Sequence, residues 1–181
     1  MDLDSCINGR RSVRAYQDKP IPKEIVDKLL DAGVWAPSAF NAQPWRFVVI
    51  QDKETISKLS AKTTEIVSQL DWEPAKKFLD YAQFFGAPLV ILVCVEKAEG
   101  SLRDVKLLDT GLLAQNMFLK AYELGLGSCF VGWSRVLNMH PEILAEVGVP
   151  YDHELIAPLI FGYPAEKPDP PPREIKTLRW I

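Results

Sequence analysis

Hydrophobic positions along the chain follow two different periods. Ile25, Val26, Leu29 and Leu30 recur at helical spacing, and Gly33 stands where that helix would stop. Residues 47–50 (Phe-Val-Val-Ile) form an apolar block of strand length. Residues 88–95 form a longer block without polar alternation, which predicts a strand covered on both faces. Between the two, residues 53–84 carry a helical pattern, interrupted near residues 71–74. Residues 107–124 predict a long helix, apolar on most sides and so central in the fold, closed by Gly125 and Gly127. A short strand over 128–132, a short helix over 141–147 opening on Pro141, and a last core strand over 155–161 follow. At the other end, residues 2–9 predict a short helix that stops at Gly9. Residues 36–45 mix helix starters with Pro37 and Pro44, so no uninterrupted helix runs through them.

The tail has a different texture. Pro164, Pro168, Pro170, Pro171 and Pro172 impose an extended, polyproline-like path. We therefore divide the chain into a folded body over 1–163 and an arm over 164–181. A frayed terminus and an arm crossing to a partner subunit are both open, and the crossing arm is favoured because Trp180 and Ile181 are costly in water and a strand over 177–181 on a partner would shelter them.

Length and composition narrow the functional classes. The 181 residues suit one domain, which excludes a plan with separate cofactor and substrate domains. A hydrophobic fraction of 48% and a charged fraction of 25% match a soluble globular protein. The net charge of −3 argues against nucleic-acid binding, which needs a basic face. Three scattered cysteines give neither a disulfide framework nor a CxxC site, and two histidines cannot build a His-rich metal site. The acidic start Met1-Asp2-Leu3-Asp4 is unlike a signal peptide, and residues 87–95 fall short of the roughly 20 needed to span a bilayer. The expectation is a cytoplasmic protein with no metal and no membrane contact.

Several segments carry polar chemistry. Arg10, Arg11, Ser12 and Arg14 lie within five residues and can hold an anion through bidentate, charge-assisted bonds, although a solvated charge run has the same composition. Pro37, Ser38, Asn41 and Gln43 belong to a segment rich in uncharged donors and acceptors. These groups suit the edge of a planar heterocycle, or equally a self-capped turn. Residues 125–133 hold three glycines at the wrong spacing for GxGxxG, and they leave a helix to enter a strand, which rejects a dinucleotide fold. Glycine there still permits close approach of a ligand to the backbone around Val131, Gly132 and Trp133. Arg173 gains interest if the arm brings it to the 10–14 cluster. No Ser-His-Asp or Cys-His arrangement is visible, and no residue is assigned a catalytic role.

Four of these segments, in order, resemble the nitroreductase family of FMN-dependent oxidoreductases. They are Arg10-Arg11-Ser12-Val13-Arg14, the APSAFNAQPW stretch over 36–45, Gly125-Leu126-Gly127-Ser128-Cys129, and Phe161-Gly162-Tyr163-Pro164 with a basic residue downstream. The resemblance implies a three-layer α+β fold with helices flanking a mixed, mostly antiparallel sheet. It also implies a homodimer with FMN at the subunit interface and a domain-swapped arm. Arg10, Arg11, Ser12 and Arg173 would hold the FMN phosphate or ribityl chain, and Arg14 the pyrimidine edge. Pro37, Ser38, Asn41 and Gln43 would reach the flavin from the same or the partner subunit, and the backbone of 131–133 would approach N5. The implied activity is hydride transfer from NADH or NADPH through flavin N5 to a small-molecule acceptor, a nitroaromatic, quinone or similar planar electrophile, in a ping-pong cycle. Alternatives are a reductive dehalogenase, a flavin-cleaving enzyme, or a flavin-binding redox sensor with little turnover. A dehalogenase needs a lid, for which residues 60–82, with Glu65, Glu73, Lys76 and Lys77, are the candidates. An additional polar flavin contact has only Asp80, Tyr81 and Gln83 to draw on.

Overall fold

The structure, a computed structural model, describes residues 1–71, 79 and 82–181. Helix α1 (Leu3–Gly9) starts on Asp2, whose carboxylate accepts the Ser5 N–H at 2.9 Å. After an extended segment come α2 (Lys23–Val34), a 3-10 turn (Ala39–Asn41) and strand β1 (Trp45–Ile50). Helix α3 (Lys53–Gln69) is capped by Asp52. Strand β2 (Leu89–Glu96), helix α4 (Gly100–Glu123), strand β3 (Gly127–Phe130), 3-10 turns over Gly132–Met139, helix α5 (Pro141–Glu146) and strand β4 (His153–Gly162) complete the body.

The four strands form one sheet in the order β1-β2-β4-β3, each pair antiparallel. Among the described residues, the one parallel pairing is an isolated bridge between Ser12 and Ser128. Strand period explains the layers. Leu89, Ile91 and Val93 of β2 face α2 and α4, where Leu29, Leu113 and Met117 complete one core. Val90, Leu92 and Cys94 face the other way, toward Ile56, Leu59 and Ile66 of α3 and Leu137 and Leu144 beyond β3. Both faces of β2 are thus covered, as its unbroken apolar run predicts. In β4 the register shifts, with Val93 opposite Ala157 but Cys94 opposite Leu155. The extra residue, Ile156, is a bulge that reverses which face the following side chains meet. Pro158 is tolerated inside this central strand because β3 already ends at Phe130, opposite Leu159. The Pro158 carbonyl accepts the Val131 N–H at 2.9 Å.

Three boundaries differ from the sequence pattern. The long helix begins at Gly100, seven residues before the predicted 107, because polar residues 100–106 hide its first turns. It is also not central. Leu113, Met117 and Ala121 are buried, while Leu102, Leu108 and Leu112 on its other side are exposed. The strand expected over 128–132 stops at Phe130, and the chain coils from Gly132 instead. Asn138 pins this coil to β4. Its amide accepts the Leu155 N–H and donates to the Leu155 carbonyl, both at 2.8 Å, replacing the strand partner that β3 no longer supplies. Helix α3 ends at Gln69, just before the interruption expected near 71–74; residues 72–78, 80 and 81 of the expected helical pattern lie outside the described residues, and its last residues, 83 and 84, fall in a turn over 83–86 with Phe85 and Gly86 at positive φ. Among the described residues the arm hydrogen-bonds the body near its root, where the Ala165 N–H donates to the Ala15 carbonyl at 2.9 Å and Lys167 Nζ lies 3.5 Å from the Tyr122 hydroxyl. Residues 177–181 join no strand of their own chain, and Trp180 is 90% exposed.

Candidate functional site

The arginine-rich segment is placed by two glycines. Gly9 ends α1 against the Tyr122 ring, where a side chain would collide with the phenol. The chain then runs beside β3, with the Val13 N–H donating to the Ser128 carbonyl at 3.0 Å. Gly127 makes room for this. A Cβ there would stand 2.7 Å from Val13 Cγ2 and 2.8 Å from Val13 Cβ. Gly127 thus serves the approach of Val13, and so positions the arginines on either side. Gly127→Ala is expected to lower stability by about 1–3 kcal/mol through overpacking. Thermal denaturation of the variant checks this, and an unchanged midpoint would contradict it.

Arg10 and Arg11 line a cavity of about 460 Å³ together with Gln115, Pro170, Pro171 and Arg173. The Nε atoms of Arg10 and Arg11 are buried and have no hydrogen-bond partner. Arg11 also donates through Nη1 to the carbonyls of Asn8 and Arg10, each at 2.7 Å. Burial, followed by the nearby charges of Arg11 and Arg173, holds the Arg10 pKa below its ordinary value. The Arg10 guanidinium lies 5.9 Å from the Phe118 ring centroid. Three like charges with unused donors around one cavity fit a phosphate-sized anion.

The other end of the segment borders a different space. Arg14 lines a cavity of about 630 Å³ with Phe85, Cys129, Phe130, Val131, Gly132, Trp133, Arg135, Val136 and Met139. Its walls are largely apolar and aromatic. Arg14 sits 5.9 Å from the Phe85 ring centroid. Burial raises the Cys129 thiol pKa, partly offset by Arg14, Ser12 and Arg10, so the thiol stays neutral at ordinary pH. Burial also raises the Tyr16 pKa, and its hydroxyl donates to the Val13 carbonyl at 2.7 Å. Residues 10–14 therefore join a cation-lined cavity at one end to a largely apolar cleft at the other.

The third segment is a strained loop. Phe40, Asn41 and Gln43 have φ of 52°, 54° and 45°, in the left-handed region that costs of order 1–3 kcal/mol each. Ser38 Oγ accepts the Gln43 N–H at 3.0 Å, and Gln43 Nε2 donates to Asn41 Oδ1 at 3.2 Å. Asp109, buried in α4, accepts the Ala39 N–H at 3.2 Å. Ser38 thus serves the turn itself, while Pro37, Asn41 and Gln43 are exposed. None of these four residues lines the cavities at Arg10 or Arg14 within its own chain. Asp109→Ala removes a buried charged acceptor and is expected to cost about 1.5–3 kcal/mol. Urea denaturation measures it, and an unchanged midpoint would contradict the tether.

Asp109, Phe85 and Arg135 were not evident as site residues. Asp109 had a readable signal, since it lies four residues before Leu113 on the buried stripe of α4. Of the expected lid, Glu65 is exposed on α3 and pairs with Lys62 at 2.9 Å. Glu73, Lys76, Lys77, Asp80 and Tyr81 lie outside the described residues. The Gln83 N–H donates to Ser60 Oγ at 2.9 Å. Among the described residues no group of three or more His, Cys, Asp or Glu side chains is placed to hold a metal, and no helix is long and apolar enough to cross a membrane.

The chain is similar in sequence and fold to known proteins. The sequence model of the Nitroreductase family matches residues 7–163. A Methanothermobacter thermautotrophicus protein assigned as an NADH dehydrogenase/NAD(P)H nitroreductase is 30% identical over 93% of this chain and 80% of its own. A 5,6-dimethylbenzimidazole synthase of Rhodospirillum rubrum is 29% identical over 98% of this chain and 88% of its own. The crystal structure of a Bacteroides fragilis nitroreductase with bound FMN superposes with a TM-score of 0.86 at 26% identity, covering 100% of this chain and 98% of that one.

Proposed function

The chain belongs to the Nitroreductase family, and from that premise we propose that it is an FMN-dependent NAD(P)H oxidoreductase working as a homodimer. The observation that carries this reading is an arginine cluster with unpartnered Nε donors, joined to an apolar cleft by residues 10–14. An anionic tail on a flat heterocycle is the ligand shape that matches both ends. Arg10, Arg11, Ser12 and Arg173 hold the phosphate and ribityl chain. Arg14 holds the polar edge of the ring and stabilises negative charge that develops there. The backbone of Val131, Gly132 and Trp133 lines the ring. Pro37, Ser38, Asn41 and Gln43 reach it from their own or the partner subunit.

When bound, FMN supplies the hydride chemistry, taking two electrons from NADH or NADPH and passing them to a nitroaromatic, quinone or similar planar acceptor. The protein orients the ring, screens it from water on the apolar side and leaves proton delivery to solvent. The homodimer rests on exposed apolar surface. Trp35, Phe40, Leu108 and Leu112 stand out from α4 and the loops beside it, and a second copy would cover them. Titrating apoprotein with FMN tests the reading. Quenching of flavin fluorescence to one FMN per chain supports it, and a protein that takes up no FMN contradicts it.

The benzimidazole-synthase relative favours a second reading, in which the bound flavin is itself consumed. Incubation with reduced FMN and oxygen separates the two. Dimethylbenzimidazole as product supports the second, and intact FMN after many turnovers supports the first.

A further inference from the structure

We infer that Arg135 selects the electron acceptor, favouring a planar aromatic that bears a carboxylate or similar anion; this rests on the FMN oxidoreductase reading above. Residues 132–139 coil with a period near three. Ser134 and Leu137 are therefore buried, while Trp133, Arg135, Val136 and Met139 face the larger cavity. The two hydrogen bonds of Asn138 to Leu155 fix this coil against β4, so Arg135 is held by a rigid element.

Arg135 Nε is buried and has no hydrogen-bond partner. Two other arginines of this chain, away from the cavities, are satisfied. Arg103 makes a bidentate pair with Glu154, and Arg46 donates to the Gln43 and Trp45 carbonyls. A guanidinium drawn partly out of water without an acceptor is unfavourable, and an incoming anion relieves that cost. Arg14, the other cation of the cavity, is already assigned to the cofactor. Among the described residues no acidic side chain lines this cavity, although the chain as a whole carries a net charge of −3. The local positive sign is therefore a property of the site. Phe130, Trp133 and Val136 supply apolar surface for an aromatic ring, and Met139 stands exposed beside them.

The experiment compares 4-nitrobenzoate with 4-nitrobenzamide, which have the same shape and differ in charge. Each is reduced by two electrons: nitroarene plus NAD(P)H plus a proton gives nitrosoarene, NAD(P)⁺ and water. Holoenzyme is first reduced with dithionite, so that NAD(P)H plays no part, and reoxidation by each acceptor is followed in a single turnover. The expected wild-type rate constant is larger for the benzoate. In Arg135→Gln the ratio of benzoate to benzamide rate constants falls about 10- to 100-fold, as loss of a charge-assisted bond requires. Arg135→Lys restores part of that ratio. Wild-type enzyme that reoxidises equally fast with both acceptors, or a ratio unchanged in Arg135→Gln, overturns the inference and leaves the oxidoreductase reading intact. A protein that binds no FMN overturns both.

Discussion

Arg10→Ala is expected to weaken FMN binding by about 1.5–3 kcal/mol, roughly 10- to 150-fold in Kd, the range for a hydrogen bond to a charged group. Arg10 stands beside Arg11 and Arg173 with a buried, unpartnered Nε. Before the anion arrives these like charges repel one another, so removing one relieves the apoprotein while it weakens the complex. The loss of the Phe118 contact works in the opposite direction and is worth about 0.5–2 kcal/mol at this half-buried site. The variant should therefore melt close to wild type without flavin and well below it with flavin. Denaturation with and without FMN, together with a fluorescence titration, checks both halves. A variant that binds FMN as tightly as wild type would remove Arg10 from the site.

Deleting residues 168–181 is expected to weaken the dimer and FMN retention together. The cut falls after Ala165 because that residue bonds Ala15, and Gln17 donates to the Pro164 carbonyl, so these positions belong to the body. Beyond them Ile175, Leu178, Trp180 and Ile181 are all at least 90% exposed in the single chain. Burying each on a partner would contribute about 1.5–3 kcal/mol before the entropic cost of association. A rise of at least roughly 100-fold in the dimer dissociation constant follows. The truncated chain also lacks Arg173, which lines the Arg10 cavity. Sedimentation measures the first effect and FMN titration the second. A truncated protein that stays dimeric and retains its flavin would refute the crossing arm.

Period and punctuation made most of the body legible. Residues 88–95 read as a doubly covered strand because every side chain there has a buried side to meet, and Leu89 to Val95 are indeed buried. Helix α2 and the stop at Gly9 were likewise visible. Other features left no local trace. The bulge at Ile156 depends on the partner strand and not on β4 itself. The early start of α4 is masked by its polar first turns, and its exposed apolar side is a question about a second molecule. At the site, the Arg10–Arg11–Ser12–Arg14 cluster stood out because charge was concentrated. Arg135 did not, because a single arginine acquires meaning only from the cavity it borders. The left-handed residues 40 and 43 were likewise hidden, since Phe and Gln, unlike Asn41 between them, do not announce positive φ, and the restraint from Asp109 comes from 70 residues away.

The measurement that tests the central claim most directly is anaerobic mixing of the FMN-loaded protein with NADH or NADPH, followed by a quinone. The expected result is that the flavin absorbance bleaches on adding one nicotinamide per flavin and returns when the quinone is added. Bound flavin that stays yellow with both nicotinamides would contradict it.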